Sequence, residues 1–151
     1  MNKTNKTNAM RLMDAAKIPY RAVEYEYDES DLGGEHVAAV TGMNPDQVFK
    51  TLVTIGKSGE HYVFMVPVEG ELNLKKAASA AGEKSIAMIK SRELLPLTGY
   101  IHGGCSPLGM KKVFPTFIDK TAILFDTIMY SGGRRGCQIC SSLSDLQKLV
   151  D

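Results

Sequence analysis

The sequence has no tryptophan and only three cysteines among its 151 residues. An odd count of cysteines, without regular spacing, does not match the disulfide framework of a small secreted domain. No stretch approaches the roughly 20 consecutive apolar residues that a membrane-spanning helix needs. The polar segment Met1–Met10 also lacks the apolar core of a signal peptide. These absences predict a protein of the reducing cytoplasm that does not associate with a membrane.

An excess of charge is missing as well. Lysine and arginine number 18 and aspartate and glutamate number 17, which leaves a formal net charge of +1. Such a balance argues against a protein that binds nucleic acid through its bulk charge. Two local basic clusters remain, and each is either solvated surface charge or part of a local groove. The first contains Lys84, Lys90 and Arg92, and the second contains Lys111, Lys112, Arg134 and Arg135.

The apolar content is sufficient for a hydrophobic core. At 44% hydrophobic residues, the chain predicts one domain that spans residues 1–151. Short helical patterns are interspersed with many short strands and tight turns. This arrangement predicts an α+β domain with a mixed, curled, barrel-like sheet flanked by short helices.

The local patterns predict individual elements. Asn73 and Gly82 delimit one helix, and Pro96 is expected to end another. The predicted helices cover residues 8–17, 35–41, 74–81, 92–95 and 145–150. The predicted strands cover residues 22–27, 48–55, 61–68, 85–89, 112–114, 117–119, 122–125, 128–130 and 138–141.

A glycine-rich loop follows the fourth predicted helix. It runs Gly103-Gly104-Cys105-Ser106-Pro107-Leu108-Gly109. Glycine permits positive φ and close approach to a ligand, and Pro107 biases Ser106 toward an extended conformation. The loop can therefore aim several backbone N–H groups at one carbonyl or phosphate oxygen.

Lys50 is a lone cation in an apolar strand. Alternation places Lys50 on the face of Leu52, with Phe49, Thr51 and Val53 opposite. One interpretation is an edge-strand charge that blocks aggregation. The other is a cation aimed into a pocket, where it binds a phosphate or polarises an ester carbonyl.

Together, these features resemble those of the YbaK/EbsC family. The chain has Val48-Phe49-Lys50-Thr51-Leu52 about fifty residues before the glycine-rich loop, and the similarity extends over essentially the whole chain. Three further segments contribute to the resemblance: Tyr25–Asp28, Leu74–Ala77 and Ser131–Gly136. Members of this family are trans-editing aminoacyl-tRNA deacylases related to the editing domain of bacterial prolyl-tRNA synthetases.

The resemblance implies a fold, an activity and a partner. The fold is that of the prolyl-tRNA synthetase editing domain, and the activity is hydrolysis of misacylated tRNA. Cysteinyl-tRNA(Pro) is the expected substrate, with alanyl-tRNA(Pro) or another small misacylated tRNA as the alternative. Prolyl-tRNA synthetase is the expected partner, and no metal or other cofactor is implied.

The resemblance also assigns roles to residues. It implies that Lys50 is the central functional residue and Thr51 a pocket residue. The loop would contact the 3′ end or the acyl group through Gly103, Gly104, Cys105, Ser106 and Pro107. Tyr25 either lines the pocket or is an ordinary half-buried strand tyrosine. The ester would be attacked by water or by the substrate's own thiol, which would leave as a thiolactone.

The thiols offer a competing interpretation. A nucleophilic Cys105 would need a base beside it, and His102 is three residues away, but a packing role is favoured. Cys137 and Cys140 are predicted on opposite faces of a strand, about 10 Å apart, which exceeds disulfide range. Two other functional classes therefore stay open: a thiol-redox or metal protein that uses the three cysteines, and a non-catalytic module that binds a nucleotide or aminoacyl-adenosine.

Overall fold

The computed structural model describes residues 6–26 and 34–150. Its helices are α1 (Asn8–Ala15), α2 (Gly34–Thr41), α3 (Leu74–Ala81), α4 (Ser91–Thr98) and α5 (Leu143–Gln147). Its strands are β1 (Arg21–Glu24), β2 (Phe49–Gly56), β3 (His61–Pro67), β4 (Ile86–Met88), β5 (Thr116–Ile118), β6 (Ile128–Ser131) and β7 (Cys137–Ser141). Two short 3₁₀ helices cover Pro45–Gln47 and Lys120–Leu124.

The strands form two sheets that meet at one point. In the first sheet the order is β4-β2-β3-β5, and β5 pairs with β3 in parallel while the other pairs are antiparallel. In the second sheet the order is β1-β7-β6, with antiparallel pairs throughout. A parallel bridge between Val48 and Met129 joins the two sheets. The predicted mixed, curled sheet flanked by short helices is confirmed, although its strands do not close into a barrel within the described ranges.

The joined sheets have two faces with different coverings. The first, called here the loop-side face, carries Phe49, Met65, Tyr130 and Ile139, which pack with α1 and with Leu108 of the glycine-rich loop. Farther along the same face, Val53 and Val63 pack with Cys105. The second, called here the α2-side face, carries Val48, Met129 and Cys140, which pack against Val37 and Ala38 of α2. The alternation of side chains along each strand therefore determines whether a polar side chain lies on the loop-side face or on the α2-side face.

Helix α3 has the predicted bounds. The Asn73 side chain accepts a hydrogen bond from the Lys76 N–H at 3.0 Å, and Gly82 closes the helix with φ of +74°. Both signals lie within the segment itself, so the local sequence is enough to place this helix.

Helix α4 is longer than predicted. It continues through Pro96 to Thr98 and ends at Gly99, which has φ of +88°. Proline removes one hydrogen bond from a helix, but Leu94 and Leu97 pack on the cluster around Val53 and Tyr100. The packing of this apolar side outweighs the lost bond, so the prediction that Pro96 ends the helix was wrong.

Other predicted elements also differ from the structure. Residues 112–114 form bends and irregular chain, and residues 122–125 fall mostly in the 3₁₀ helix that begins after Asp119. The Asp119 side chain caps this helix by accepting from the Thr121 N–H at 2.9 Å. The closing helix starts after Ser142 and ends at Gln147, which is earlier than predicted at both ends. The predicted first strand ends at Glu24, and its last residue, Tyr27, lies outside the described residues.

No described helix is long and apolar enough to span a membrane.

Candidate active site

Lys50 lies on the α2-side face, near the start of β2. Lys50 pairs with Val66 on β3. Its neighbours on the same face of the strand, two residues before and after it, are Val48 and Leu52. Val48 belongs to the apolar cluster under α2, and Phe64, opposite Leu52, belongs to the cluster under α3. Lys50 is partly exposed, and within residues 6–26 and 34–150 no carboxylate forms an ion pair with its ammonium group. The ammonium is therefore available to a negatively charged or polarised ligand atom.

Three more polar side chains lie on this face. The bridge between Val48 and Met129 places Ser131 of β6 on the same face as Lys50, and Ser131 pairs with Gln138 of β7. Gln138 is 5% exposed, and its Nε2 donates to the Tyr25 hydroxyl at 3.5 Å. We call this group of side chains (Lys50, Tyr25, Ser131 and Gln138) the polar site. Burial raises the pKa of Tyr25, so its hydroxyl stays protonated at neutral pH.

Thr51 points to the loop-side face. Its neighbours on that face, Phe49 and Val53, belong to the clusters that also contain Leu108 and Cys105. The Thr51 Oγ1 atom is buried and has no hydrogen-bond partner among the described residues. A buried hydroxyl without a partner is costly, because it loses water and gains nothing in return. Its position behind Lys50 makes it a candidate contact for a ligand oxygen or an ordered water.

The glycine-rich loop is fixed at both ends by hydrogen bonds, and its middle is buried. Gly103 and Gly109 have φ of +86° and +75°, a region that glycine occupies without strain. Gly104 N–H donates to Ile101 O at 2.9 Å, and Leu108 N–H donates to Ser106 Oγ at 3.2 Å. Between these two bonds, the N–H groups of Cys105 and Ser106 have no acceptor among the described residues. The loop thus has two backbone N–H groups without a partner among the described residues, and both belong to buried residues.

The β6–β7 turn connects the loop to the polar site. A Cβ atom placed on Gly104 would lie 3.0 Å from the Cα atom of Arg134, so the two backbones are in close contact. Arg135 Nε donates to His102 O at 2.9 Å, which fixes the start of the loop to the same turn. On the other side of the turn, Tyr25 N–H donates to Gly136 O at 3.0 Å. One short turn therefore positions Tyr25, Ser131 and the loop relative to one another.

The predicted site residues are divided between the two faces. Lys50 and Tyr25 lie on the α2-side face, whereas Thr51 and the buried residues Cys105 to Pro107 belong to the loop side. Gly103 and Gly104 lie where the β6–β7 turn joins the two sides. The assignment of all these residues to one substrate pocket stays a prediction.

Two residues of the polar site were missed by the sequence reasoning. The sequence places Ser131 only in a segment that contributes to the family resemblance, and Gln138 only in a predicted strand. Alternation along 137–141 would have separated Gln138 from the apolar Cys137 and Ile139, but nothing local pairs that strand with β6. The juxtaposition with Lys50 depends on the bridge between Val48 and Met129, which is a long-range contact.

The thiols are poorly suited to chemistry. Cys105 is 8% exposed, and burial raises its pKa to about 12, so almost none of it is thiolate at neutral pH. Cys137 packs on the loop-side face and Cys140 on the α2-side face, which confirms the prediction of opposite faces. Burial raises the pKa of both thiols as well. No group of three or more potential metal ligands occurs in the part of the chain that the structure describes.

This arrangement suits the stabilisation of an oxyanion better than nucleophilic attack by the protein. On the α2-side face, the ammonium of Lys50, which has no ion pair among the described residues, and the neutral hydroxyl of Tyr25 are donors for negative charge that develops on a carbonyl oxygen. The described thiols are protonated and buried, and His102 is exposed beyond the start of the loop. An activated acyl ester is the kind of substrate for which such donors are sufficient.

Comparisons with known proteins agree with this chemistry. A family model described as an aminoacyl-tRNA editing domain matches residues 33–149. The chain is 45% identical over 134 residues to EbsC of Enterococcus faecalis, named as a candidate Cys-tRNA(Pro)/Cys-tRNA(Cys) deacylase; the match covers 89% of this chain and 82% of EbsC. It is 34% identical over 76 residues to a proline–tRNA ligase of Pelobacter propionicus, covering 50% of this chain and 13% of the ligase.

A solved structure shows the same fold. The crystal structure of a candidate trans-editing enzyme for prolyl-tRNA synthetase superposes with a TM-score of 0.78 at 24% identity. The superposition covers 93% of this chain and 90% of that protein. The extent of the family match and of the similarity to EbsC leaves one conclusion. The chain belongs to the aminoacyl-tRNA editing domain family.

Proposed function

We propose that this protein is an aminoacyl-tRNA deacylase that hydrolyses misacylated tRNA, with cysteinyl-tRNA(Pro) as its main substrate. The observation that carries the proposal is the 45% identity to EbsC over 89% of the chain. The proposal extends to residues 1–151 acting as one editing domain in the cytoplasm, where charged tRNA is used.

Lys50 has the central role in this proposal. Its ammonium group stabilises the negative charge that develops on the ester carbonyl oxygen, or it holds the terminal phosphate of the tRNA. The partly exposed position, between apolar clusters and without a carboxylate partner among the described residues, supports both roles. The neutral hydroxyl of Tyr25 and the backbone N–H groups of the loop are the additional donors.

The attacking group comes from outside the protein. In one route, water adds to the carbonyl carbon, the bond to the ribose oxygen breaks, and the ribose oxygen takes up a proton. In the other, the substrate's thiol sulfur adds to the same carbon, and its proton passes to the leaving ribose oxygen as a thiolactone departs. Neither route uses Cys105 as a nucleophile, and burial, which raises the pKa of this thiol to about 12, keeps it protonated at neutral pH.

The substrate assay uses cysteinyl-, alanyl- and prolyl-tRNA(Pro) with purified wild-type protein and a variant in which Cys105, Cys137 and Cys140 are replaced by alanine. We expect turnover of the cysteinyl ester by both proteins and little turnover of the prolyl ester. Preferred turnover of the alanyl ester would change the substrate assignment. No turnover by the wild type would favour a binding module, and loss of activity in the cysteine-free variant alone would favour a thiol mechanism.

Prolyl-tRNA synthetase is the proposed partner. The similarity to a segment of a proline–tRNA ligase shows that a related sequence exists within such an enzyme. With a net charge of +1, the chain has little bulk attraction for tRNA, and a synthetase would supply selectivity for tRNA(Pro).

A further inference from the structure

A cavity of about 440 Å³ opens on the side of the glycine-rich loop away from Lys50. Helix α1 contributes Arg11 and Leu12, the loop contributes Pro107 and Gly109, and the C-terminal segment contributes Leu149 and Val150. The segment from Met110 to Thr116 completes the wall. Its volume falls in the range of about 300–1,000 Å³ that is usual for pockets that bind small ligands. No residue of the polar site lines this cavity, so it is a separate feature of the surface.

The cavity combines apolar walls with positive charge. Val113 is 79% exposed and Leu12 is 40% exposed, which leaves apolar surface accessible at its edge. Among the described residues, Arg11 and Lys112 are the charged residues in its lining, and no carboxylate lines it. Arg11 donates to Asn8 Oδ1 at 3.2 Å, and Lys112 has no ion pair within the described ranges. Of the described carboxylates on α1 and α5, Asp14 pairs with Lys6 and Asp145 pairs with Lys148.

The cavity and the candidate active site share the glycine-rich loop. Gly104 contacts the β6–β7 turn beside the polar site, whereas Pro107 and Gly109 form part of the cavity wall. The seven residues from Gly103 to Gly109, which are joined by six residue steps, span at most about 20 Å even when fully extended. A substrate held at the loop by its terminal ester can therefore extend into the cavity.

We propose that this cavity binds an unpaired nucleotide from the 3′ end of the tRNA, upstream of the esterified adenosine. The phosphate would lie against Arg11 and Lys112, and the base against Leu12, Met110 and Val113. Apolar contact with a base and neutralisation of one or two phosphates are how proteins hold single-stranded ends. This inference rests on the proposed function, since it names a second contact for the same substrate. A local site of this kind also explains how a chain of low net charge can hold a polyanion.

A binding cycle tests the proposal without relying on catalysis. Affinities are measured by fluorescence anisotropy for uncharged tRNA(Pro) with and without its 3′-terminal CCA, using wild type and the double variant Arg11→Ala/Lys112→Ala. For the wild type, removal of CCA should weaken binding about tenfold, whereas in the double variant the loss should be several-fold smaller, because only the contact at the polar site is then removed. The matched control is Lys57→Ala/Lys76→Ala, which removes two exposed lysines outside the cavity and should retain the wild-type response.

The outcomes separate this inference from the proposed function. An equal effect of CCA removal on wild type and double variant would overturn the cavity site, whatever the deacylation assay shows. A wild-type protein that does not deacylate any of the tested aminoacyl-tRNAs would instead refute the proposed function. Val113→Asp provides a second variant that keeps both cations; it should also reduce the CCA effect, because the carboxylate repels the phosphate and removes apolar contact.

Discussion

At the scale of single residues, Thr51 carries a cost that folding alone does not explain. Its buried hydroxyl has no partner among the described residues, and an unsatisfied buried polar group costs about 1–3 kcal/mol. We predict that Thr51→Val raises the free energy of unfolding by about 1 kcal/mol and lowers kcat/KM for deacylation. Urea unfolding and steady-state kinetics measure the two effects.

Thr54 supplies the matched control for Thr51. It lies on the same strand, is fully buried, and donates to Tyr62 O at 2.9 Å. Thr54→Val leaves that carbonyl without its donor, so it should lower the free energy of unfolding. A Thr51→Val variant that is less stable than wild type, with unchanged activity, would show that the hydroxyl serves packing rather than substrate.

The buried thiol of Cys105 should make the free energy of unfolding decrease at alkaline pH. Its pKa rises from 9.0 to about 12 on folding, so between these values the unfolded chain has lost a proton that the folded protein keeps. Stability is therefore complete below pH 9 and falls as the pH rises toward 12. At about 1.4 kcal/mol per pKa unit, the penalty at pH 10.5 is about 2 kcal/mol.

The test compares Cys105→Ala with wild type by urea unfolding at pH 6, 8 and 10.5. The difference in free energy of unfolding between the two proteins should be the same at pH 6 and 8. It should then shift by about 2 kcal/mol in favour of the variant at pH 10.5. A difference that does not change with pH would mean that the thiol ionises readily in the folded protein.

At the scale of structural elements, the contact between the loop and the β6–β7 turn is the critical one. Gly104 has no space for a methyl group, since a Cβ would lie 3.0 Å from three backbone atoms of Arg134 and Arg135. We predict that Gly104→Ala costs about 1–3 kcal/mol in stability and lowers deacylation, because it pushes the loop away from the turn.

Gly70→Ala is the control for this substitution. The nearest atom to a Cβ at Gly70 is Pro67 O at 3.4 Å, which is an ordinary contact distance. Stability by thermal unfolding and deacylation rate should both stay near the wild-type values in this variant. Wild-type activity in Gly104→Ala would contradict the role given to the contact.

Elements whose limits are set by adjacent residues could be predicted from the sequence. Asn73 and Gly82 define α3, and both act within the helix itself. The predicted end of the 92–95 helix was wrong, because Pro96 was expected to stop it. The packing of Leu94 and Leu97, which the sequence does not reveal, allows the helix to continue. The prediction of a strand over residues 122–125 was wrong, and most of this segment is a 3₁₀ helix. A short apolar run by itself does not distinguish the two structures.

The candidate site could be predicted only in part, for a similar reason. Lys50 and the glycine-rich loop stand out because each is unusual in its own segment. Ser131 and Gln138 join Lys50 through strand pairing between distant parts of the chain. Alternation along the strand predicts that Lys50 and Thr51 lie on different faces. Only the folded protein shows that α2 packs on the face of Lys50 and the glycine-rich loop on the face of Thr51.

At the scale of the whole molecule, low net charge predicts limited discrimination among tRNAs. With a net charge of +1, the protein has little bulk attraction for the tRNA body, so we expect the body to contribute little to discrimination. We predict that kcat/KM for cysteinyl-tRNA(Pro) and cysteinyl-tRNA(Cys) differ by less than about tenfold for the isolated protein. Added prolyl-tRNA synthetase should raise the ratio of kcat/KM for cysteinyl-tRNA(Pro) to kcat/KM for cysteinyl-tRNA(Cys). Parallel deacylation assays with and without the synthetase measure this ratio.

Bovine serum albumin at the same concentration controls for nonspecific stabilisation in that assay. Strong preference for tRNA(Pro) by the isolated protein would show that it recognises the tRNA body by itself. No change of the ratio on addition of the synthetase would remove that enzyme as the source of selectivity.

The most direct test of the account is the single-turnover rate of cysteinyl-tRNA(Pro) deacylation by wild type, Lys50→Ala and Lys50→Arg. Loss of one group that stabilises developing charge should slow Lys50→Ala by about 10²–10³, with its thermal unfolding unchanged. Lys50→Arg should retain part of the rate, because it keeps the charge with a different shape. Wild-type turnover by a folded Lys50→Ala protein would contradict the central claim that this cation drives ester hydrolysis.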